Sequence, residues 1–200
     1  MKRKGENGVD LKTIPGTILE REKMDNATGM EFLNKVFYIT NGIMLGQIRE
    51  ISGIDGTTLQ NWVKRGWVGN PTKKTYDKEQ LARILIINMM RDTMQLSRVM
   101  FLLTYVNGAD ECDRIVTESQ FYDYICKTLE HIASPSSAGL NDLERVIEGV
   151  LSEYDEPVAG AKRRLARGVR IVVVTYYAAL IKSVADDDLD SLGADTHRKR

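Results

Sequence analysis

The sequence predicts a mainly α-helical fold: a winged helix-turn-helix with a small β-hairpin wing, followed by a C-terminal helical bundle. Two short amphipathic patterns separated by a glycine predict a helix pair between residues 45 and 65. A basic, proline-interrupted loop over 66–76 predicts the hairpin. Beyond the hairpin, apolar residues recur at helical spacing to about residue 185.

The length of 200 residues fits one domain or two small ones. We expect a flexible arm over 1–26, the winged helix-turn-helix over 27–108 and a C-terminal helical domain over 109–185. The charged tail over 186–200 is expected to be disordered.

Charge is balanced overall, with 28 Lys and Arg against 28 Asp and Glu, so net charge favours no particular partner. The distribution along the chain is uneven. Bases dominate from Thr57 to Arg98, whereas carboxylates dominate from Val99 to Gly160. A basic module is therefore followed by an acidic one.

The first helix of the pair is predicted by Leu45, Ile48 and Ile51, which recur at helical spacing. Gly53 can adopt the left-handed conformation that ends a helix. Three residues can cap the next helix: Asp55, Thr57 and Thr58. A tight turn between two helices is the result.

The second helix has an apolar inner face and a polar outer face. Its inward positions are Leu59, Trp62 and Val63. Its outward residues can bind base edges and phosphates, because amides pair with adenine and cations with guanine or phosphate. These candidates are Thr57, Thr58, Gln60, Asn61, Lys64 and Arg65. An ordinary solvated helix surface would show the same polarity, so both interpretations stay open.

The wing is predicted from the residues that follow. Trp67-Val68 reads as a short extended segment, Gly69-Asn70-Pro71 turns the chain, and Thr75-Tyr76 is the return strand. Lys73, Lys74 and Tyr76 are expected to contact the DNA backbone, where cations displace counterions. The alternative is a solvated basic loop.

Asp77 and Gln80 form a capping-box pattern that opens the next helix. That helix is apolar around most of its circumference and is expected to be buried on more than one side. Asn88, its polar exception, is expected to be a hydrogen-bonded core amide.

The stretch from Leu45 to Leu103 resembles the DNA-binding domain of the MerR family, through Ser52-Gly53-Ile54, Gly66, Lys74-Thr75-Tyr76 and Gln80-Leu81. The segment 59–64, Leu-Gln-Asn-Trp-Val-Lys, with Pro71 and 73–76, more narrowly resembles a group of bacterial proteins of unknown function with a MerR-like head. The resemblance implies a winged helix-turn-helix that binds a two-fold DNA site as a homodimer and responds to an effector.

The C-terminal part is predicted to end in a long helix from Asp155-Pro157 to about Ala185. Its basic first half is expected to pair with the preceding acidic helices rather than with DNA. Its apolar half is either a homodimer interface or the central helix of a bundle, and the residues concerned are Val172, Val173, Tyr176, Tyr177, Leu180 and Ile181.

No catalytic, metal-binding or cofactor-binding motif is recognised, so the chain is not expected to be an enzyme. Cys112 and Cys126 are expected to be free thiols of a cytoplasmic protein. The apolar run Ile171 to Ile181 is shorter than the roughly 20 residues that cross a membrane, so no membrane contact is expected.

The leading hypothesis is a bacterial DNA-binding transcription regulator whose partner is double-stranded DNA. The alternative is a protein-interaction module, such as an antirepressor or assembly factor, that uses Asn61, Trp67 and the acidic helices. An architectural DNA binder without an effector is a third hypothesis.

Overall fold

The computed structural model describes residues 11–108, 113–134 and 136–198, with side chains as far as residue 192. Within the described residues, short 3-10 helices and a two-stranded antiparallel sheet accompany the α-helices, and the mainly α-helical prediction is confirmed. The α-helices are α1 Gly29–Val36, α2 Leu45–Ser52, α3 Gly56–Lys64, α4 Lys78–Met90, α5 Leu96–Asn107, α6 Glu118–Ala133, α7 Leu143–Val150 and α8 Ala161–Arg198. The strands are β1 Ile43–Met44 and β2 Thr75–Tyr76, and the 3-10 helices are Arg21–Met24 and Gly139–Asp142.

Helix α4 lies at the centre of the protein. It packs against α5, α6 and α8, and α6 also packs against α1, α7 and α8. Its apolar residues are buried on several sides, as the sequence predicted, and they are Leu81, Ala82, Ile84, Leu85, Ile86, Ile87, Met89 and Met90. The described buried residues form a continuous cluster from the N-terminal segment to α8.

The N-terminal segment is packed rather than flexible over residues 11–26, so the predicted arm is wrong there; the first ten residues lie outside the described part. The hydroxyl of Tyr122 on α6 donates to the carbonyl oxygen of Pro15 at 2.7 Å. The Asn88 amide on α4 donates to the Gly16 carbonyl oxygen at 2.9 Å. Because the segment is irregular, it carries no helical or strand periodicity.

Helix α8 begins and ends later than predicted, and it continues through the tail expected to be disordered over 186–198. The tail contains no proline, and Lys182 pairs with Asp186 one turn later, at 2.6 Å, which supports the helix. Residues 199–200 lie outside the description. From 181 to 192 every side chain of α8 is exposed.

The face of α8 that the sequence offered for dimerisation is largely filled by the chain's own core. Val172, Val173, Tyr176 and Tyr177 are buried within the monomer. Helices α4, α5, α6 and α7 all pack on α8. Of the two alternatives for these four residues, their burial supports the bundle, and they are not available as a dimer interface.

The basic first half of α8 makes one of the contacts expected with the acidic helices. Arg170 forms an ion pair with Glu144 of α7. Arg164 instead donates to the backbone oxygen of Asp113 at 2.8 Å.

Among the described residues, one helix is long and apolar enough to cross a membrane, the part of α8 from Ala161 to Leu192, within which an 18-residue window has a mean hydropathy of 1.5. Length and composition alone are weak evidence, because a buried core helix meets the same criteria.

Candidate nucleic-acid interface

The turn between α2 and α3 forms as the sequence predicts. Gly53 has φ of +69°, in the left-handed region, and its N–H donates to the Arg49 carbonyl oxygen. Asp55 caps α3: its carboxylate accepts from the Thr58 hydroxyl at 2.5 Å and from the Thr58 N–H at 2.9 Å. These hydrogen bonds hold the pKa of Asp55 below its usual value.

Helix α3 presents the two faces that its sequence indicates. Leu59 and Trp62 are buried against the core, and Val63 is half-buried. The opposite face carries most of the predicted contact residues in exposed positions, namely Thr57, Gln60, Asn61 and Lys64. The polar face is therefore available to a partner over two turns.

Three of the predicted contact residues are less available than expected. The hydroxyl of Thr58 is used in the cap of α3. The guanidinium of Arg65 lies 5.0 Å from the centre of the Trp67 ring, a cation–π distance. Tyr76 is only 4% exposed, and burial raises the pKa of its hydroxyl. Its side chain is therefore packed into the protein rather than free on the surface to contact a partner.

A tight hairpin places Lys73 and Lys74 at its tip, both exposed. Thr72 and Thr75 exchange two backbone hydrogen bonds, at 2.9 and 3.0 Å. The φ angles of Lys73 and Lys74 are +51° and +67°. Two successive positive φ angles are the mark of a type I′ turn, where Asn-Gly is favoured, and a residue with a Cβ costs about 1–2 kcal/mol there.

The return strand pairs with a different segment than predicted. β2 is antiparallel to β1, with Ile43 opposite Tyr76 and Met44 opposite Thr75. Trp67-Val68 forms no strand. The hairpin is therefore attached to the start of α2, which brings it beside α2 and α3.

Gln80 of α4 holds the base of the hairpin loop. Its Oε1 accepts from the Asp77 N–H at 3.0 Å, and Asp77 accepts from the Gln80 N–H at 2.8 Å, so the predicted capping box is confirmed. Its Nε2 donates to the carbonyl oxygens of Gly69 and Asn70, at 2.9 and 3.0 Å. One side chain thus caps α4 and fixes the loop.

Arg83, one turn further along α4, anchors the segment that follows α3. Its Nε donates to the Trp67 carbonyl oxygen at 2.5 Å, and its Nη1 to Glu118 of α6 at 2.7 Å. Glu118 is buried, so the ion pair is largely shielded from solvent. The loop after α3 is thereby connected to the helical bundle.

These elements enclose an open groove of about 900 Å³ between α2, α3 and the hairpin, which we call the α3 groove. It brings together Gln60, Lys64, Lys74 and Tyr76 of the predicted set. Its further lining residues are Met44, Leu45, Gly46, Gln47, Glu50, Val63, Asn70 and Pro71. Gln47 and Asn70 could not be predicted from the sequence as contact residues, because their proximity depends on the β1–β2 pairing.

The described residues offer little other chemistry. No group of three or more His, Cys, Asp and Glu residues among them is placed to hold a metal ion. Cys126 is buried, and burial raises the pKa of its thiol, which keeps it protonated and unreactive. Cys112 lies outside the described residues.

Comparison with known proteins identifies relatives whose functions are not assigned. Residues 30–125 match the family described as a domain of unknown function, DUF1836, and this range includes the α3 groove. The chain is 26% identical over 142 residues to the uncharacterized protein YkrK of Bacillus subtilis (strain 168). That alignment covers 66% of this chain and 57% of the relative, so the chain matches little more than half of that protein. No solved structure is significantly similar.

Proposed function

We propose that the protein is a cytoplasmic, bacterial-type transcription regulator with a MerR-like winged helix-turn-helix. In this proposal α2 and α3 form the helix-turn-helix, and the hairpin around Lys73 and Lys74 is the wing. Helix α3 enters the major groove of duplex DNA, while the wing binds the phosphate backbone. A homodimer reads a two-fold site.

The observation that carries the proposal is the conformation of the two lysines at the hairpin tip. Both side chains are exposed at positions where glycine or asparagine would remove the strain. Strained non-glycine residues concentrate at functional sites, where the side chain itself is required. Two adjacent cations beside a polar helix suit a polyanionic partner such as a DNA backbone.

The outer face of α3 supports the second part of the proposal. Gln60 and Asn61 carry amides that can make paired hydrogen bonds to adenine, and Lys64 can reach guanine or phosphate one turn later. Thr57 lies in the first turn, where the helix N-terminus favours a phosphate. Direct sequence reading is assigned to Gln60, Asn61 and Lys64.

A salt titration of DNA binding tests the proposal. The wild type is expected to bind a pool of random duplexes with an affinity that falls steeply with salt. Lys64→Ala/Lys73→Ala/Lys74→Ala should reduce the slope of log affinity against log salt by about 2–3, or about 0.9 for each lost phosphate contact. If the wild type binds no better than the triple variant at low salt, the proposal is wrong.

A second variant separates lost charge from a lost turn. Lys73→Asn/Lys74→Gly removes two cations but supplies residues suited to the hairpin, so it should fold at least as stably while binding DNA more weakly. Lys12→Asn/Lys23→Asn removes the same charge from exposed sites outside the groove and should bind like the wild type. If both double variants bound DNA equally weakly, only the net charge of the protein would matter for DNA binding.

The alternative function, a protein-interaction module, is favoured by the apolar side of the α3 groove. Met44 is 61% exposed, and Leu45, Val63 and Pro71 also line the groove. An apolar side chain of a protein partner would fit there. Met44→Ala leaves every lysine in place, so it should spare DNA binding. The alternative would be favoured by two results together: the wild type binds no DNA, and a protein that copurifies with the wild type is lost from Met44→Ala.

A further inference from the structure

Helix α8 has a second apolar face that the described part of the chain leaves uncovered. We call it the outer stripe, and its residues are Ile171, Val174, Ala178, Ile181, Ala185 and Leu189. All six are exposed, with Ile171 at 37%, Ile181 at 52% and Leu189 at 67%. The inner face with Val172, Val173, Tyr176 and Tyr177 is buried in the bundle. The bundle covers the inner face, so the second apolar face predicts a second packing partner for α8.

The spacing of the outer stripe is that of a coiled coil. Its residues follow one another at intervals of three and four, and at 100° per residue they project within an arc of about 80°. The stripe is about 27 Å long. A narrow seam of this kind fits a second helix rather than a sheet or a broad surface.

The position of the stripe on the fold strengthens this point. From residue 181 onward every described side chain of α8 is exposed, so no element of the bundle covers that part of the helix. Lys182, Ser183, Asp186, Asp187 and Asp190 nevertheless lie off the stripe, and apolar residues remain on it. The helix stays amphipathic where none of the described residues covers it, which indicates that its apolar face packs against a helix of another molecule.

We propose that the outer stripe pairs with the same stripe of a second copy of this chain, in an antiparallel arrangement. The stripe's N-terminal end is flanked by Arg163, Arg167 and Arg170, and its C-terminal end by Asp186 and Asp188. An antiparallel pair places each basic end beside the partner's acidic end. A parallel pair would place like charges together, which is destabilising.

The sizes of the stripe residues agree with this orientation. When the two-fold axis passes between Ala178 and Ile181, Val174 faces Ala185 of the partner subunit, and Ala178 faces Ile181 of the partner subunit. Each layer then combines a branched side chain with an alanine, which allows a close and even approach. These two kinds of residue pair, each present twice because of the two-fold symmetry, form the centre of the interface.

A cleft between α5 and α8 extends the apolar surface at the basic end of the stripe. It measures about 510 Å³, and Phe101 on its α5 side is 73% exposed. Its other lining residues are Met94, Arg98, Leu102, Tyr105, Arg167, Arg170 and Ile171. In the antiparallel register, the C-terminal end of the partner's stripe lies beside this cleft. Within the described residues, Arg170 pairs with Glu144, whereas no ion pair involves Arg98 or Arg167, so these two can pair with the partner's aspartates.

The mass of the full chain in solution is the first test, by light scattering at several concentrations without DNA. We expect a dimer for the wild type, and a monomer for Ile181→Glu, which buries a charge in the seam. Ser183→Glu adds the same charge on the opposite, exposed side of α8 and should stay dimeric. A wild-type monomer at about 100 µM overturns the proposal, as does a dimer unaffected by Ile181→Glu.

The orientation is tested by disulfide formation in a Cys112→Ser background, where Cys126 is buried. Val174→Cys and Ala185→Cys proteins should form little disulfide separately, but a mixed disulfide when combined. Efficient self-linking of each variant would indicate a parallel pair and overturn the antiparallel one. Binding of the wild type to phosphatidylglycerol vesicles as a monomer, lost in Ile181→Glu, would assign the stripe to a membrane instead.

This inference names the dimer surface of the proposed regulator, but its measurements use no DNA. A dimer that binds no duplex would overturn the proposed function alone, whereas a monomer that binds duplex would overturn the dimer surface alone.

Discussion

Asn88 shows how one side chain can join three segments that are distant in sequence. Its Nδ2 lies on α4 and donates to the carbonyl oxygens of Gly16 and Ser52, both at 2.9 Å. Those oxygens belong to the N-terminal segment and to the end of α2. The sequence predicted a hydrogen-bonded core amide here, and these two bonds confirm it.

Replacing Asn88 by Asp keeps the shape of the side chain and removes both donors. The Gly16 and Ser52 oxygens would then face a carboxylate, so we expect a loss of at least about 2 kcal/mol in the free energy of unfolding. Denaturant unfolding measures it. Asn34→Asp is the control, because Asn34 is exposed and its oxygen accepts from Lys78; that change should be nearly neutral. Equal losses would show that the two bonds contribute nothing specific.

Among the helices and turns, features defined by neighbouring residues could be predicted from the sequence. Gly53 and Asp55 mark the turn before α3, and Asp77 with Gln80 marks the start of α4, because helix ends use local hydrogen bonds. The partner of β2 could not be predicted. Its pairing with β1 joins segments on either side of the helix pair, and two-residue strands carry no alternating pattern.

Gln80 allows the capping of α4 to be separated from the support of the hairpin loop. Gln80→Glu retains the oxygen that accepts from Asp77 but removes the donors to Gly69 and Asn70. We expect faster amide hydrogen exchange over residues 69–76, with α4 unchanged, and a loss of about 1–2 kcal/mol in stability.

Gln120→Glu is a closely matched control for that prediction. Gln120 accepts from the Thr117 N–H in the capping box of α6 and is exposed. Its change should leave exchange in the hairpin loop unaltered. If Gln80→Glu also leaves the loop unaltered, the backbone pairing of Thr72 with Thr75 suffices to hold it.

For the whole molecule, the buried faces of the helices could be predicted from the sequence. Which terminal segments pack on the bundle could not. Apolar spacing identified α4 and the inner face of α8. The N-terminal segment was missed because its anchors, Tyr122 and Asn88, lie far along the chain. The outer stripe was missed because heptad spacing becomes informative only once the structure shows which face of α8 is already covered.

The packing of α8 on the bundle depends on a glycine in the middle of the helix. A Cβ at Gly168 would overlap the Val106 side chain of α5 and come within 3.2 Å of the Phe121 ring of α6. Glycine inside a helix normally costs about 0.5–1 kcal/mol relative to alanine. Here the absence of a side chain is what lets three helices approach closely.

Alanine substitutions at two helical glycines should therefore have opposite effects. Gly168→Ala is expected to lower the free energy of unfolding by about 1–3 kcal/mol, because Val106 and Phe121 must shift in a closely packed core. Gly149 of α7 is exposed and a Cβ there would meet no atom within 4 Å, so Gly149→Ala should raise stability by up to about 1 kcal/mol. Chemical denaturation of both variants gives the comparison. A stabilising Gly168→Ala would mean that α8 packs less closely on α5 and α6 than described, and the outer stripe would then lose its fixed position on the bundle.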